Sequence, residues 1–258
     1  MLRASLIAAA LAASTLTLAG CSEARSDDEA FGQRVRAYLL ENPEVLEEAI
    51  VRLDQKRAEA AKVSQTQGLA ASRQALERDP RDPVLGNPNG AVTVVEFFDY
   101  RCGYCKIVAP EVIKLLESEK DVRFVFKELP ILPDADGRLG VSERASRVAL
   151  AALKQGRYLP IHRDLMAEKS LNDAGIERVV RTHGLDPAAL ARAGSTPAVD
   201  DHLSDNQELA RKLGIQGTPA FVVGDQVIPG ADPDALRAAI AAARAGGNKT
   251  AAADGTAA

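Results

Sequence analysis

Tryptophan is absent from the 258 residues, and the chain holds only four Tyr, six Phe, three His, two Met and three Cys. With no Trp and few Tyr it offers no platform on which bases could stack. Positive charge is not in excess either: 32 Lys+Arg face 36 Asp+Glu, a net charge of -4, and neutralising phosphates needs a basic surface that this composition lacks. Nucleic acid is therefore not an expected partner. Met1 and Met166 are the two methionines, too few for a methionine-rich copper site. His162, His183 and His202 stand far apart in sequence, so no zinc ligand set is evident, and each reads as a surface or helix-packing residue. No phosphate-cradling glycine-rich loop follows a predicted strand, so neither a nucleotide, a flavin nor a metal is implied and no cofactor is expected.

What is present places the chain in the ordinary globular class, 46% hydrophobic and 26% charged, with length enough for a sizeable core. Much of the hydrophobic fraction is alanine, which predicts abundant helix. After Arg3, residues Ala4 to Gly20 form an uncharged apolar run, too short and too poorly flanked for a permanent membrane span, and read as a secretory signal. The run ends in Leu18-Ala19-Gly20-Cys21, which resembles the bacterial lipoprotein box, whose cysteine is acylated; the other reading is an ordinary signal cut nearby that leaves Cys21 as a stray thiol. On the lipoprotein reading Ser22 favours the outer over the inner membrane, and the lipid would be the sole attachment to it. The expected location is the bacterial cell envelope, facing the periplasm.

The remaining cysteines, Cys102 and Cys105, form a lone C-x-x-C in an exported chain. Two thiols alone do not make a four-ligand zinc site. A purely structural disulfide three residues apart would close a very small loop and restrain little of the unfolded chain's entropy. Redox chemistry is the better explanation.

Residues 1–20 are thus expected to be signal and 21–30, small and charged, a tether. Residues 31–79 read as an N-terminal helical segment: Phe31, Val35, Tyr38 and Leu39 share one face, Asn42-Pro43 opens a second helix, Leu46, Ile50 and Leu53 continue the seam, and Glu48 and Arg52 form an i,i+4 pair. These helices either pack back on the main domain or self-associate. Breaker clusters between Ser64 and Gly90 mark the boundary to a main domain over residues 83–244. There Val92 to Phe98 predicts a buried central strand, a helix opens at the C-x-x-C, and Val122 to Phe126 is a second strand. Helical periodicity fills residues 135–213 in short pieces, strand character returns at Ala220–Val223 and Gln226–Ile228 around a Gly224-Asp225 turn, and Asp232 to Arg244 is a final helix. Residues 245–258 read as a disordered tail.

A strand running into Cys102 at the start of a helix places that sulfur against unsatisfied amides and the positive end of the helix dipole, which stabilises a thiolate. Cys102 should be the exposed nucleophile, and Cys105, inside the first turn, the resolving thiol.

Cys102-Gly103-Tyr104-Cys105-Lys106 followed by Ala109-Pro110 resembles the active-site helix of thioredoxins. Together with Glu96 to Tyr100, the helical insertion and Gly217-Thr218-Pro219-Ala220, it resembles the DsbA-like branch. The resemblance implies an α/β thioredoxin fold with a helical insertion. It also implies a cis-proline at Pro219 facing the sulfurs, a substrate-binding backbone at Thr218, and a buried acid at Glu96 that relays a proton to Cys105; alternatively Glu96 is a partly exposed strand-edge carboxylate. The dipeptide Gly103-Tyr104 departs from the Pro-His of strongly oxidising DsbA proteins and is similar to that of the isomerase DsbC. Phe31 to Ala49 resembles the N-terminal segment of ScsC-like proteins, some of which self-associate and shuffle disulfides. The resemblance therefore implies an envelope thiol:disulfide oxidoreductase acting on cysteine-containing exported proteins, with a homo-oligomeric state and a membrane redox partner: a reductant for an isomerase, an oxidant for a DsbA-type oxidase. A lipid-anchored holdase or a copper(I)-binding protein, with the two thiolates as soft ligands, is the alternative of another class.

Overall fold

The computed structural model describes the backbone of residues 20–254 and the side chains of residues 28–246. Residues 1–19 of the expected signal (1–20) and the side chain of Cys21 lie outside this range. The chain divides into two compact units, up to Lys62 and from Val63 onward. No helix among the described residues is long and apolar enough to cross a membrane.

Among the described residues the N-terminal unit consists of α1 (Gly20–Glu41) and α2 (Glu44–Ala71) as far as Lys62. Residues 21–30, expected as a tether, belong to α1, because no proline or glycine interrupts the stretch from Cys21 to Phe31. The break between the helices falls where Asn42-Pro43 predicts it: the Asn42 side-chain amide donates to Tyr38 O at 2.9 Å, and the Val45 amide donates to Asn42 O. Glu48 and Arg52 form their ion pair at 2.6 Å. Phe31, Tyr38, Leu46, Ile50 and Leu53 are all exposed.

The second unit is built on a five-stranded sheet of β1 (Val84–Gly86), β2 (Val92–Phe98), β3 (Val122–Glu128), β4 (Ala220–Val223) and β5 (Gln226–Pro229), in the order β1-β3-β2-β4-β5. Only β2 and β3 run parallel, and the crossover between them is the helix α4 (Gly103–Ser118) that opens at the cysteines. The mostly apolar β2 is central, as its composition predicts, since both faces of the sheet are covered. Val94 and Phe98 point into one core with Val108, Val112 and Phe221; Val95 and Phe97 point into the other with Leu69, Leu76, Leu209 and Leu213. Leu69 and Leu76 carry a correction to the expected boundary: α2 continues to Ala71 and α3 (Arg73–Glu77) follows, so residues 63–79 belong to the second unit. Those two leucines are interior residues, and the breakers begin only after them.

Strand β1 is three residues inside a cluster of turn formers, too short to show a period. Its Gly86 has φ +76°, and a Cβ there would meet Val122 O at 2.8 Å, so the residue is fixed by the close strand approach. The helical insertion comprises α5 (Gly140–Leu153), α6 (Tyr158–Ala167), α7 (Asp173–Thr182), α8 (Pro187–Gly194) and α9 (Pro197–Lys212). The last helix, α10 (Pro233–Asp254), runs on through residues 245–254, expected to be disordered, although Gly246-Gly247-Asn248 in that stretch has low helix propensity.

Candidate functional site

Strand β2 ends at Phe98, and the turn Asp99-Tyr100-Arg101 delivers Cys102 to the N-cap of α4 in an extended conformation, φ -68° and ψ 119°. Both cysteines are free thiols. Cys102 is 7% exposed and Cys105, one turn further in, is fully buried. The Cys102 thiol donates to Thr218 O at 3.1 Å, and the Thr218–Pro219 bond is cis, so the loop implied by Thr218 and Pro219 faces the nucleophile. Tyr104 and Ile107, in the first turns of α4, are 66% and 70% exposed. Gly103 has nothing within 4 Å of where a Cβ would sit.

The electrostatics separate the two sulfurs. A hydrogen bond from the Cys105 thiol draws the Cys102 pKa down to about 5, against the opposing effect of burial; the Thr218 side chain and the amides of Cys105 and Tyr104 add to the lowering. The helix N-terminus contributes through these two amides, after the Cys105 thiol and Thr218. Cys105 is pushed far up, first by burial, then by its hydrogen bond to Cys102 and by the charges of Cys102 and Glu96. One thiol is ionised at neutral pH and the other holds its proton.

Glu96 lies on the central strand, on the α4 side by strand parity, and is 3% exposed, not an edge carboxylate. Its Oε2 makes no hydrogen bond, and burial pushes its pKa up to about 8. It is therefore largely protonated at neutral pH, and its charge, when present, acts on Cys105.

Further groups near the turn went unread in the sequence. Glu128 Oε1 accepts from Tyr158 at 2.9 Å and Tyr100 at 3.1 Å, while Tyr100 OH also meets His162 Nδ1 at 3.0 Å. Burial raises Glu128 to about 8 and lowers His162 to about 3, so both favour their neutral forms. Four rings, Phe98, Tyr100, Phe126 and Tyr158, surround the imidazole with centroids 5.0–5.6 Å away. Nothing in the local pattern marks these residues; the fold collects them from four segments. The Lys106 ammonium donates to Leu165 O and Met166 O, tying α4 to the last turn of α6.

His183 pairs with Asp164 and His202 with Asp82, consistent with packing roles. Asp79, Asp82 and His202 bring ligand atoms within 4.8 Å of one another, but Arg81 already pairs with Asp79 and Lys127 with Asp82. That cluster is a buried ion-pair network, and its composition does not call for a metal.

Comparison with known proteins agrees with this geometry. Residues 93–241 match the DSBA-like thioredoxin domain, and residues 27–60 match the copper resistance protein ScsC N-terminal domain. A thioredoxin-like oxidoreductase from Silicibacter pomeroyi is 44% identical over 67% of this chain and 97% of its own, with a TM-score of 0.62. BcfH of Salmonella enterica Typhimurium is 35% identical over 86% and 99%, TM-score 0.71, and Proteus mirabilis ScsC in a transitional conformation is 34% identical over 86% and 98%, TM-score 0.60. The chain spans only 22% and 26% of the length of the curated relatives it matches at 31% identity, two Na(+)/H(+) antiporters of Salinispora. With a domain match over more than half its length, enclosing both cysteines and the cis-proline, the chain belongs to the DsbA-like thioredoxin-domain family.

Proposed function

We propose that this chain is an envelope thiol:disulfide oxidoreductase that shuffles disulfides in exported proteins, with Cys102 as nucleophile, Cys105 as resolving thiol and Glu96 as proton acceptor. The observation that carries the reading is the opposed pair of sulfurs: an acid-shifted Cys102 at a helix N-terminus against Thr218-Pro219, over a buried, protonated Cys105. The Cys102 thiolate attacks one sulfur of a substrate disulfide, and the other substrate sulfur leaves as a thiolate. If that thiolate attacks a second substrate disulfide and the resulting free sulfur displaces Cys102, the substrate is rearranged with no net electron transfer. If Cys105 instead attacks Cys102, its proton passing to the minority ionised form of Glu96, the second substrate sulfur also leaves as a thiolate, and both substrate sulfurs take their protons from solvent. The chain then holds the disulfide, and a membrane reductant must return two electrons.

The exposed apolar residues Phe31, Tyr38, Leu46, Ile50 and Leu53, within the stretch matching the ScsC N-terminal domain, support a homo-oligomer in which several active sites share one substrate. The lipid at Cys21 and an outer-membrane location rest on the sequence of the signal alone. A second reading, a DsbA-type dithiol oxidase, is favoured by one observation. A thiolate held near pH 5 stabilises the reduced pair and so makes the disulfide more oxidising.

Reactivation of a scrambled multi-disulfide protein by the reduced chain, lacking Cys21, separates these readings. We expect reactivation that is lost in Cys102→Ser. Absence of reactivation together with fast oxidation of a dithiol substrate by the disulfide form would assign the chain to the oxidase branch. A Cys102→Ser chain that protects substrates as well as the parent would make it a holdase, and one that still sequesters copper(I) a metal-binding protein.

A further inference from the structure

Three residues before Cys102, Asp99 is a fully buried carboxylate with no salt bridge among the described residues: Lys106 acts on it only at longer range, and the neighbouring Arg101 guanidinium is turned away, onto Asp134 and the carbonyls of Leu132 and Pro133. Its charge is met instead by four donors. Oδ1 accepts from the Arg101 amide at 2.7 Å and the Ser142 hydroxyl at 2.8 Å; Oδ2 accepts from the amides of Ile131 at 2.9 Å and Leu132 at 3.0 Å. One side chain thereby joins three segments: the turn into α4, the loop after β3, and the first turn of α5. An ionised carboxylate is the side chain suited to four such donors, since an amide replaces one acceptor oxygen with a donor and sets it against N–H or O–H groups.

The main chain of the same residue touches both cysteines. Asp99 O accepts the Cys102 amide at 3.0 Å, and the Asp99 amide donates to the Cys105 sulfur. The loop it clamps includes Ile131, which with Leu129, Pro130 and Gly214 to Gln216 lines a cleft of about 700 Å³. Nucleophile and resolving thiol therefore share a single anchor.

We propose that Asp99 is the positioning residue of this site, its carboxylate fixing the turn whose backbone sets the geometry of Cys102 and Cys105. The proposal rests on the reading of Cys102 as nucleophile. It acts through backbone geometry rather than through charge, and the two mechanisms predict opposite signs. Removing a nearby negative charge would by itself favour the thiolate and lower the Cys102 midpoint. Releasing the turn withdraws the helix amides and the Cys105 thiol from Cys102 and raises it.

The test is the pH profile of Cys102 alkylation by iodoacetamide in the reduced chain, for the parent, Asp99→Asn and Ser142→Ala, with a thermal melt of each. Asp99→Asn should raise the midpoint by about one pH unit, slowing alkylation at pH 4.5 roughly eightfold. Ser142→Ala, which removes one donor and keeps the charge, should slow it roughly twofold and decides the matter should Asp99→Asn fail to fold. A midpoint unchanged or lowered in the folded Asp99→Asn chain, or unchanged in Ser142→Ala when that variant alone folds, overturns the assignment while the nucleophile reading stands. A parent with no acid-shifted midpoint overturns both.

Discussion

The pKa of Glu96 gives it a thermodynamic signature apart from any role in proton transfer. Buried without a hydrogen bond to Oε2, it ionises at about 8 in the folded chain against 4.5 as an ordinary glutamate. Between those values the unfolded chain has lost a proton that the folded chain keeps, so stability is greatest at low pH and falls as pH rises through the window. Glu96→Gln removes this dependence. Its melting temperature should equal the parent's near pH 4.5 and exceed it by at least about 4 °C at pH 8, measured on reduced protein. A constant difference across the window would count against an ionisable Glu96. The same variant should slow attack by Cys105 at least about tenfold, seen as a persistent mixed disulfide with substrate. Cys102 and Cys105 are legible because their spacing is itself the chemistry, whereas Thr218 and Pro219 are legible only through the resemblance to the DsbA-like branch. Asp99 is legible only in part, as an acid at the start of a turn that bonds the amide two residues on; its other donors come from about 30 and 43 residues downstream, a distance no local pattern reports.

At the scale of elements, β2, β3, β4 and the start of α4 follow from hydrophobic pattern and turn residues, whereas β1 and the continuation of α2 do not. Beyond Leu53 the α2 sequence shows no sustained apolar seam, and its buried Leu69 becomes meaningful only when the second core is assembled around it. That core is fastened from the side by Lys127, whose place in a strand that also carries Arg123 and Glu128 gives no hint of its partners. Its ammonium lies 2.5 Å from Asp82 Oδ2 and donates to Ala75 O at 2.7 Å, while His202 Nε2 meets the other Asp82 oxygen at 2.8 Å. Strand β3, α3, α9 and the segment before β1 are thus held by one buried ion pair. Lys127→Met leaves Asp82 charged and deprived of its cation, and should destabilise the chain by about 3 kcal/mol in urea denaturation. Adding Asp82→Leu should recover part of that loss, because replacing both charges costs less than stranding one. A double variant weaker than Lys127→Met would mean that the network fixes structure in a way its pairwise charges do not capture.

For the whole molecule, the two units divide at Lys62 and Val63, inside a continuous helix, rather than at the breaker cluster where composition changes. The reason is geometric. Leu69 and Leu76 fill the face of the sheet opposite the active-site helix, where Val95, Phe97, Val125 and Val222 would otherwise meet water. Gln65 reinforces the attachment by donating to Leu213 O at 3.3 Å, and Arg73 by its ion pair with Asp225. Two truncations therefore behave differently although they differ by only 17 residues. A chain beginning at Val63 keeps the sheet covered and should be a folded monomer by light scattering, with alkylation of Cys102 unchanged from the full chain, since its cysteines, Asp99 and cis-proline loop all lie in the second unit. A chain beginning at Pro80 loses both leucines and uncovers the sheet, which on the usual scale of buried leucine truncations costs several kcal/mol and should appear as loss of cooperative melting or as aggregation. If the proposed self-association resides in the N-terminal helices, the first truncation abolishes isomerase activity while preserving the reactivity of the thiol. A Val63 chain that still reactivates scrambled substrate at the parent's rate would show that each active site works alone, and that the exposed apolar face from Phe31 to Leu53 serves something other than shuffling.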